Sequence, residues 1–192
     1  MTTYLLHGGF SRIKNESNDA YYRTLVEHTP EGGTMLSVYF ARLDGEDNSE
    51  RAQKQKNDLL AQANGKLVHV ELGDEATFLE QVARSSAIIF NGGSTHALLE
   101  RMRTYPDLKT LFEGKIVAGG SAGAYMIAAY NYDKSHKSIR EGLGLLPVKV
   151  LCHYESDTSE RTDSTAKEIM EAAHPELPLI VLRDTEWKAF TV

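Results

Sequence analysis

The stretch Lys115-Ile116-Val117-Ala118-Gly119-Gly120-Ser121-Ala122-Gly123-Ala124-Tyr125-Met126-Ile127-Ala128-Ala129-Tyr130 decides the reading of the fold. Residues 115–118 are apolar and do not alternate, the pattern of a strand buried on both faces of a parallel sheet. Residues 124–130 read as a helix. The joining pentad has the spacing G-x-S-x-G. A serine on a sharp strand-to-helix turn sits in a strained, exposed conformation, and side chains two positions away would collide with the crossing backbone. The helix that follows aims its positive N-terminal end at Ser121, and the Ala122 amide lies where a developing oxyanion would be stabilised. Ser121 is therefore the candidate nucleophile, with a plain structural turn as the competing reading.

The same alternation extends outward in both directions. Apolar runs recur at Tyr4–Leu6, Met35–Ala41, Lys66–Val70, Ala87–Phe90, Val148–Cys152 and Leu179–Leu182. Segments of helical spacing lie at Asn18–His28, Glu50–Ala63, Glu75–Ser85 (behind a Gly73-Asp74 cap), Thr95–Arg103 and Asp163–Ala173. Strands alternating with helices predict βαβ units around a parallel sheet with right-handed crossovers. No repeat, low-complexity tract or linker interrupts them, so residues 1–192 read as a single domain. Leu43–Ser49 is expected to be an exposed polar loop, Asp133–Gly144 a polar irregular stretch near the functional face, and Phe190–Val192 part of a further strand.

Composition narrows the class. Of 192 residues 41% are hydrophobic and 25% charged, ordinary for a soluble globular protein. The net charge of -6 leaves no basic surplus to neutralise phosphates, so nucleic acid is not an expected partner. No apolar run approaches the roughly 20 residues of a membrane span. The opening Met1–Gly9 has no basic leader, and its apolar part ends at once in glycine. Cys152 stands alone and permits no internal disulfide, which suits a reducing compartment. A cytoplasmic location is expected. Nothing in the sequence specifies an oligomeric state.

A nucleophilic serine needs a base, and the base an orienting carboxylate. Among seven histidines, His153 directly follows the run Val148–Cys152 and so sits at the carboxyl end of a strand, the edge where open α/β sheets bind ligands. His136, in the polar stretch, is the reserve. Asp184 lies just past the run Leu179–Leu182; Glu186 and Asp133 are alternatives for the acid. A second glycine turn, Asn91-Gly92-Gly93-Ser94, closes another strand and offers the Gly93 amide as a second oxyanion donor, with a phosphate cradle or a structural turn as competing readings. Cys152, next to His153, points to the opposite face if both are extended and reads as a buried structural residue. No H-E-x-x-H or similar cluster is present, so no metal is expected, and the chemistry requires no cofactor. The order Ser121, His153, Asp184 differs from the serine, acid, histidine order of ordinary α/β-hydrolases.

These residues resemble the serine peptidase family of dipeptidase E (aspartyl dipeptidase) and the cyanophycinases. The likeness rests on Phe90-Asn91-Gly92-Gly93-Ser94-Thr95-His96, Gly119-Gly120-Ser121-Ala122-Gly123-Ala124, Gly144-Leu145-Leu146-Pro147 leading to Cys152-His153-Tyr154, and His174-Pro175-Glu176-Leu177-Pro178 leading to Leu182-Arg183-Asp184-Thr185-Glu186-Trp187. The resemblance implies a three-layer, flavodoxin-like α/β fold, related to class I glutamine amidotransferases, with a mostly parallel sheet and helices on both faces. It implies Ser121 as nucleophile, His153 as base, Asp184 as third member, Gly93 and Ala122 as oxyanion hole, and a short peptide as substrate. Some versions of the family triad point instead to Asp133. Arg161 stands near, but out of register with, an arginine by which aspartyl dipeptidases hold an acidic side chain. Ser94 stands where the family often has asparagine. An esterase or amidase with the same nucleophile, and a non-catalytic small-molecule-binding relative, are the alternatives.

Overall fold

The apolar runs become the strands of a computed structural model that describes residues 1–42 and 48–192. In chain order the elements are β1 (Thr3–His7), α1 (Glu16–His28), β2 (Gly33–Val38), α2 (Ser49–Ala61), β3 (Val68–Leu72), α3 (Phe78–Arg84), β4 (Ala87–Phe90), α4 (Thr95–Met102), α5 (Leu108–Leu111), β5 (Ile116–Gly120), α6 (Ala122–Ile127), β6 (Ala128–Asp133), β7 (Ser138–Glu141), β8 (Leu146–Leu151), α7 (Ser164–Ala172), β9 (Leu179–Val181) and β10 (Trp187–Thr191).

Among the described residues, one sheet has the order β10-β1-β5-β4-β2-β3. It is parallel throughout except for β10, which runs antiparallel to β1. Non-alternating apolar strands let both faces be buried. Leu36, Val38, Ile88, Phe90 and Val117 pack with Phe78, Leu98, Met102 and Met126 on one face. Met35, Ala87, Ile89 and Ala118 pack with Tyr21, Tyr22, Leu25 and Leu59 on the other. A helix–sheet–helix sandwich follows, the three-layer architecture expected from the sequence.

A second sheet, β7-β6-β8-β9, continues from α6. Its Leu146, Val148, Val150 and Ile180 join the same apolar cluster as β1, β4 and β5, and α7 covers its far side through Ala166 and Met170. Lys149 of β8 is buried; its ammonium donates to the carbonyls of Met170 (2.7 Å) and Ala173 (2.6 Å), closing the C-terminal end of α7.

Several boundaries differ from the sequence reading. The helix after Ser121 ends at Ile127 rather than Tyr130, because residues 128–133 pair with both β7 and β8; strand pairing outweighs local helical preference there. For the same reason the stretch 133–144 is not irregular but contains β7. Residues 75–77 form a turn ahead of α3, and the short α5 had no clear periodic signal. Of the expected loop Leu43–Ser49, residues 43–47 lie outside the described residues, and Ser49 begins α2. No helix among the described residues is long and apolar enough to cross a membrane.

Candidate active site

The carboxyl ends of β1, β4 and β5 meet at one edge of the first sheet, and β8 and β9 of the second sheet end beside them. Ser121, between β5 and α6, has φ 51° and ψ -107°, a conformation that costs a non-glycine residue on the order of 1–3 kcal/mol. Its surroundings hold it there: the Ser121 amide donates to the His7 carbonyl (2.9 Å) and its carbonyl accepts from the Tyr125 amide (3.0 Å). The flanking glycines are required by close approach. A Cβ on Gly119 would strike the Gly123 backbone, and one on Gly123 would strike the Phe90 carbonyl.

Leu182 extends the pairing of β8 and β9 beyond the end of β9. Its amide donates to Leu151 (2.9 Å), and its carbonyl accepts from Tyr154 (3.1 Å). Those bonds set the residue after β8 and the residues after β9 side by side. His153, itself in a left-handed conformation (φ 56°), is 6% exposed. Its Nε2 lies 2.8 Å from Ser121 Oγ and its Nδ1 2.7 Å from Asp184 Oδ1. The carboxylate can only accept, so Nδ1 carries the proton and Nε2 accepts from the serine hydroxyl. The other Asp184 oxygen accepts from the Ser156 hydroxyl, whose oxygen in turn accepts from the Thr158 amide (3.2 Å). The relay runs from hydroxyl to imidazole to carboxylate, and suits proton transfer at Ser121 Oγ.

The other candidates go elsewhere. Glu186 accepts from the Arg183 amide (2.8 Å) and faces its guanidinium. Asp133 binds His136 (2.7 Å) and Arg140. Partial burial works to raise the Asp133 pKa, but the His136 and Ser135 hydrogen bonds and the Arg140 charge hold it below its ordinary value. His136 is exposed in that cluster, and His96 pairs with Glu100 (3.4 Å) on the α4 surface. Arg161 is exposed, donates to the Ser156 carbonyl (3.4 Å) and lines neither cavity at the site. Ser94 caps α4, its hydroxyl accepting from the Ala97 amide (3.2 Å). Cys152 is fully buried, and burial pushes its thiol well above the ordinary range, which leaves it inert as a nucleophile.

Ser121 and His153 stand where two cavities meet. One, of about 470 Å³, reaches past Asn91 and Gln55 to Arg12 and Arg51. The other, of about 760 Å³, extends along α4 and β6 to Arg103 and Asn131. Gly93 lines both. Among the described residues, neither the Gly93 amide nor the Ala122 amide, in the first turn of α6, donates to a backbone acceptor. Arg12 and Arg51 make no ion pair among the described residues. No group of three or more His, Cys, Asp or Glu suited to a metal ion occurs among them.

Sequence reasoning missed four residues of this site. Ser156 steadies Asp184. The Tyr125 phenol accepts from the Cys152 amide (3.0 Å) and ties α6 to the strand carrying His153. His7 and Asn18 lie behind the imidazole. Ser156 is one serine in a polar loop and carries no sequence signal. His7 had a weak one: like His153, it ends an apolar run.

Comparison with known proteins gives three results. The model of peptidase family S51 matches residues 16–190. No curated protein sequence matches the chain. Two crystal structures share the fold. A peptidase from an acI-B1 actinobacterium has a TM-score of 0.70 at 20% identity, covering 99% of this chain and 83% of its own. A peptidase E candidate from Listeria monocytogenes EGD-e has a TM-score of 0.62 at 18% identity, covering 100% of this chain and 99% of its own.

Proposed function

The chain belongs to peptidase family S51, and on that premise we propose that it is a serine-type peptidase hydrolysing dipeptides or other short peptides through an acyl-enzyme on Ser121. The observation that carries the reading is the continuous hydrogen-bonded relay Ser121–His153–Asp184, with 2.8 and 2.7 Å steps.

In the first half-reaction Ser121 Oγ attacks the scissile carbonyl carbon while His153 Nε2 takes the hydroxyl proton. The carbonyl oxygen becomes an oxyanion facing the Gly93 and Ala122 amides, each donor of this kind contributing on the order of 3 kcal/mol. Asp184 holds the Nδ1 proton and stabilises the imidazolium. Collapse breaks the C–N bond, and the His153 proton leaves with the amine. Water then attacks the ester, with His153 again as base, to release the acid and restore Ser121. No cofactor takes part. The Arg12 and Arg51 guanidinium groups, without an ion pair among the described residues, suit a free carboxylate of the substrate, and a short peptide brings one close to its scissile bond. Residues 1–192 would act as one domain, and the lone buried thiol suits the cytoplasm.

A panel of free dipeptides, C-amidated dipeptides and p-nitrophenyl esters tests the proposal. Dipeptides should be cleaved, and Ser121→Ala should abolish cleavage. Ester turnover without peptide turnover, or binding without turnover of any member, would overturn it.

A further inference from the structure

We propose that His7 is a positioning residue for His153, acting through Gly9 and Phe10 and held in its Nε2–H tautomer by Asn18. The proposal rests on the catalytic reading of His153 above.

His7 ends β1 and is completely buried. Its Nδ1 accepts from the Gly9 amide (3.0 Å), so that nitrogen carries no proton. The proton must sit on Nε2, which lies 2.8 Å from Asn18 Oδ1. The Asn18 amide cannot turn over: its nitrogen donates to the Phe10 carbonyl (3.0 Å) and the Ile13 carbonyl (2.6 Å). Every polar atom of the His7 and Asn18 side chains is thus spent on holding the turn of residues 9–13.

That turn is the wall behind the base. Gly9 has φ 127°, and a Cβ there would collide with the His153 ring at Cε1. Phe10 meets the same ring edge-on, centroids 5.6 Å apart. The Gly9 carbonyl accepts from the Thr185 amide (3.0 Å), and Gly8 donates to the Glu186 carbonyl (2.8 Å). The turn therefore grips both the imidazole and the loop carrying Asp184, and the His7 backbone carbonyl also receives the Ser121 amide. One buried residue thus bears on all three arms of the relay, on Ser121 directly and on His153 and the Asp184 loop through the turn it holds.

Neutrality is part of the device. A proton on Nδ1 would confront the Gly9 N–H, release the turn and place a second cation beside the imidazolium formed during turnover. The groups bearing on His7 are His153, Asp184, Asn18 and the Tyr21 ring (4.7 Å). Burial dominates them, with the His153 charge acting the same way, and holds the His7 pKa down to about 4.

The test compares wild type, His7→Phe, His7→Asn and Phe10→Ala by kcat and KM on a C-amidated dipeptide, which offers no free carboxylate to Arg12 of the same turn, and by the rate of fluorophosphonate labelling. His7→Phe keeps bulk but cannot accept from Gly9; kcat and labelling rate should both fall about 10- to 100-fold, as for a small misplacement of a reacting group, with KM within about twofold. His7→Asn offers a carboxamide oxygen to the Gly9 amide and should restore most of the loss. Phe10→Ala removes an exposed ring that lines the cavity beside Ser121; kcat and labelling rate should both drop. The proposal is overturned if the folded variants melt earlier yet keep wild-type kcat and labelling, or if KM moves in place of kcat. Wild type that resists labelling would remove the serine mechanism itself and this proposal with it.

Discussion

Replacing Asp184 with asparagine changes one atom and leaves the shape of the site intact. The Ser156 hydroxyl already accepts from the Thr158 amide and donates to one Asp184 oxygen. In the variant that position favours the amide oxygen, so the NH2 group is turned toward His153 Nδ1, 2.7 Å away in the wild type. Nδ1 must then accept, the ring proton moves to Nε2, and Nε2 presents N–H to Ser121 Oγ across 2.8 Å. The base becomes a donor at the atom where it must accept. The same tautomer reversal in serine–histidine–aspartate sites lowers kcat about 10⁴-fold, roughly 5 kcal/mol of barrier. Purified Asp184→Asn, checked by circular dichroism, should hydrolyse dipeptides about 10⁴-fold more slowly and lose fluorophosphonate labelling in parallel. Activity within tenfold of wild type, or a comparable loss in Glu186→Gln or Asp133→Asn, would rule out Asp184 as the group that orients His153.

Four further outcomes follow from the same geometry. Ser121→Gly relieves the φ 51° strain and should raise stability by about 1 kcal/mol, read as a melting temperature about 2–4 °C higher, while activity is lost. Below its ordinary pKa near 6.5, His7 is protonated in the unfolded chain but stays neutral in the native one down to about 4. Stability should therefore fall as pH drops through that window, by about 2–3 kcal/mol between pH 7 and 4.5, and denaturant titrations of His7→Asn should show a correspondingly smaller fall. Arg51→Gln should raise KM for free dipeptides about tenfold with kcat nearly unchanged, and leave C-amidated dipeptides unaffected, as the loss of one charge-assisted contact predicts. Lys149→Met should cost about 2–4 kcal/mol in chemical denaturation, because the Met170 and Ala173 carbonyls at the end of α7 lose a charged donor.

Residues 115–130 carry much of the fold and of the site in their residue pattern alone. A strand buried on both faces leaves a non-alternating apolar run, and a backbone crossing without Cβ atoms leaves glycines at fixed spacing; both marks were visible around Ser121. His153 and Asp184 were visible as polar residues ending such runs. Choosing among carboxylates was not possible from residue types. Asp184 and Glu186 are two positions apart, and only the Leu182 pairing with Leu151 and Tyr154, with Arg183 occupying Glu186, assigns one of them to His153. Residues 128–133 were hidden for a related reason: their strand character comes from β7 and β8, which lie later in the chain. The His7–Asn18 pair stayed hidden because its partners are backbone groups of a turn, which no side-chain pattern announces.

If Ser121 is a nucleophile activated by His153, it must react with an electrophile that mimics an acyl carbonyl. Fluorophosphonate treatment of the intact protein, followed by proteolysis and mass mapping, tests it most directly. One adduct per chain is expected, on Ser121, absent from Ser121→Ala and strongly slowed in Asp184→Asn. No adduct on folded wild type, or an adduct on another residue that survives Ser121→Ala, would contradict it.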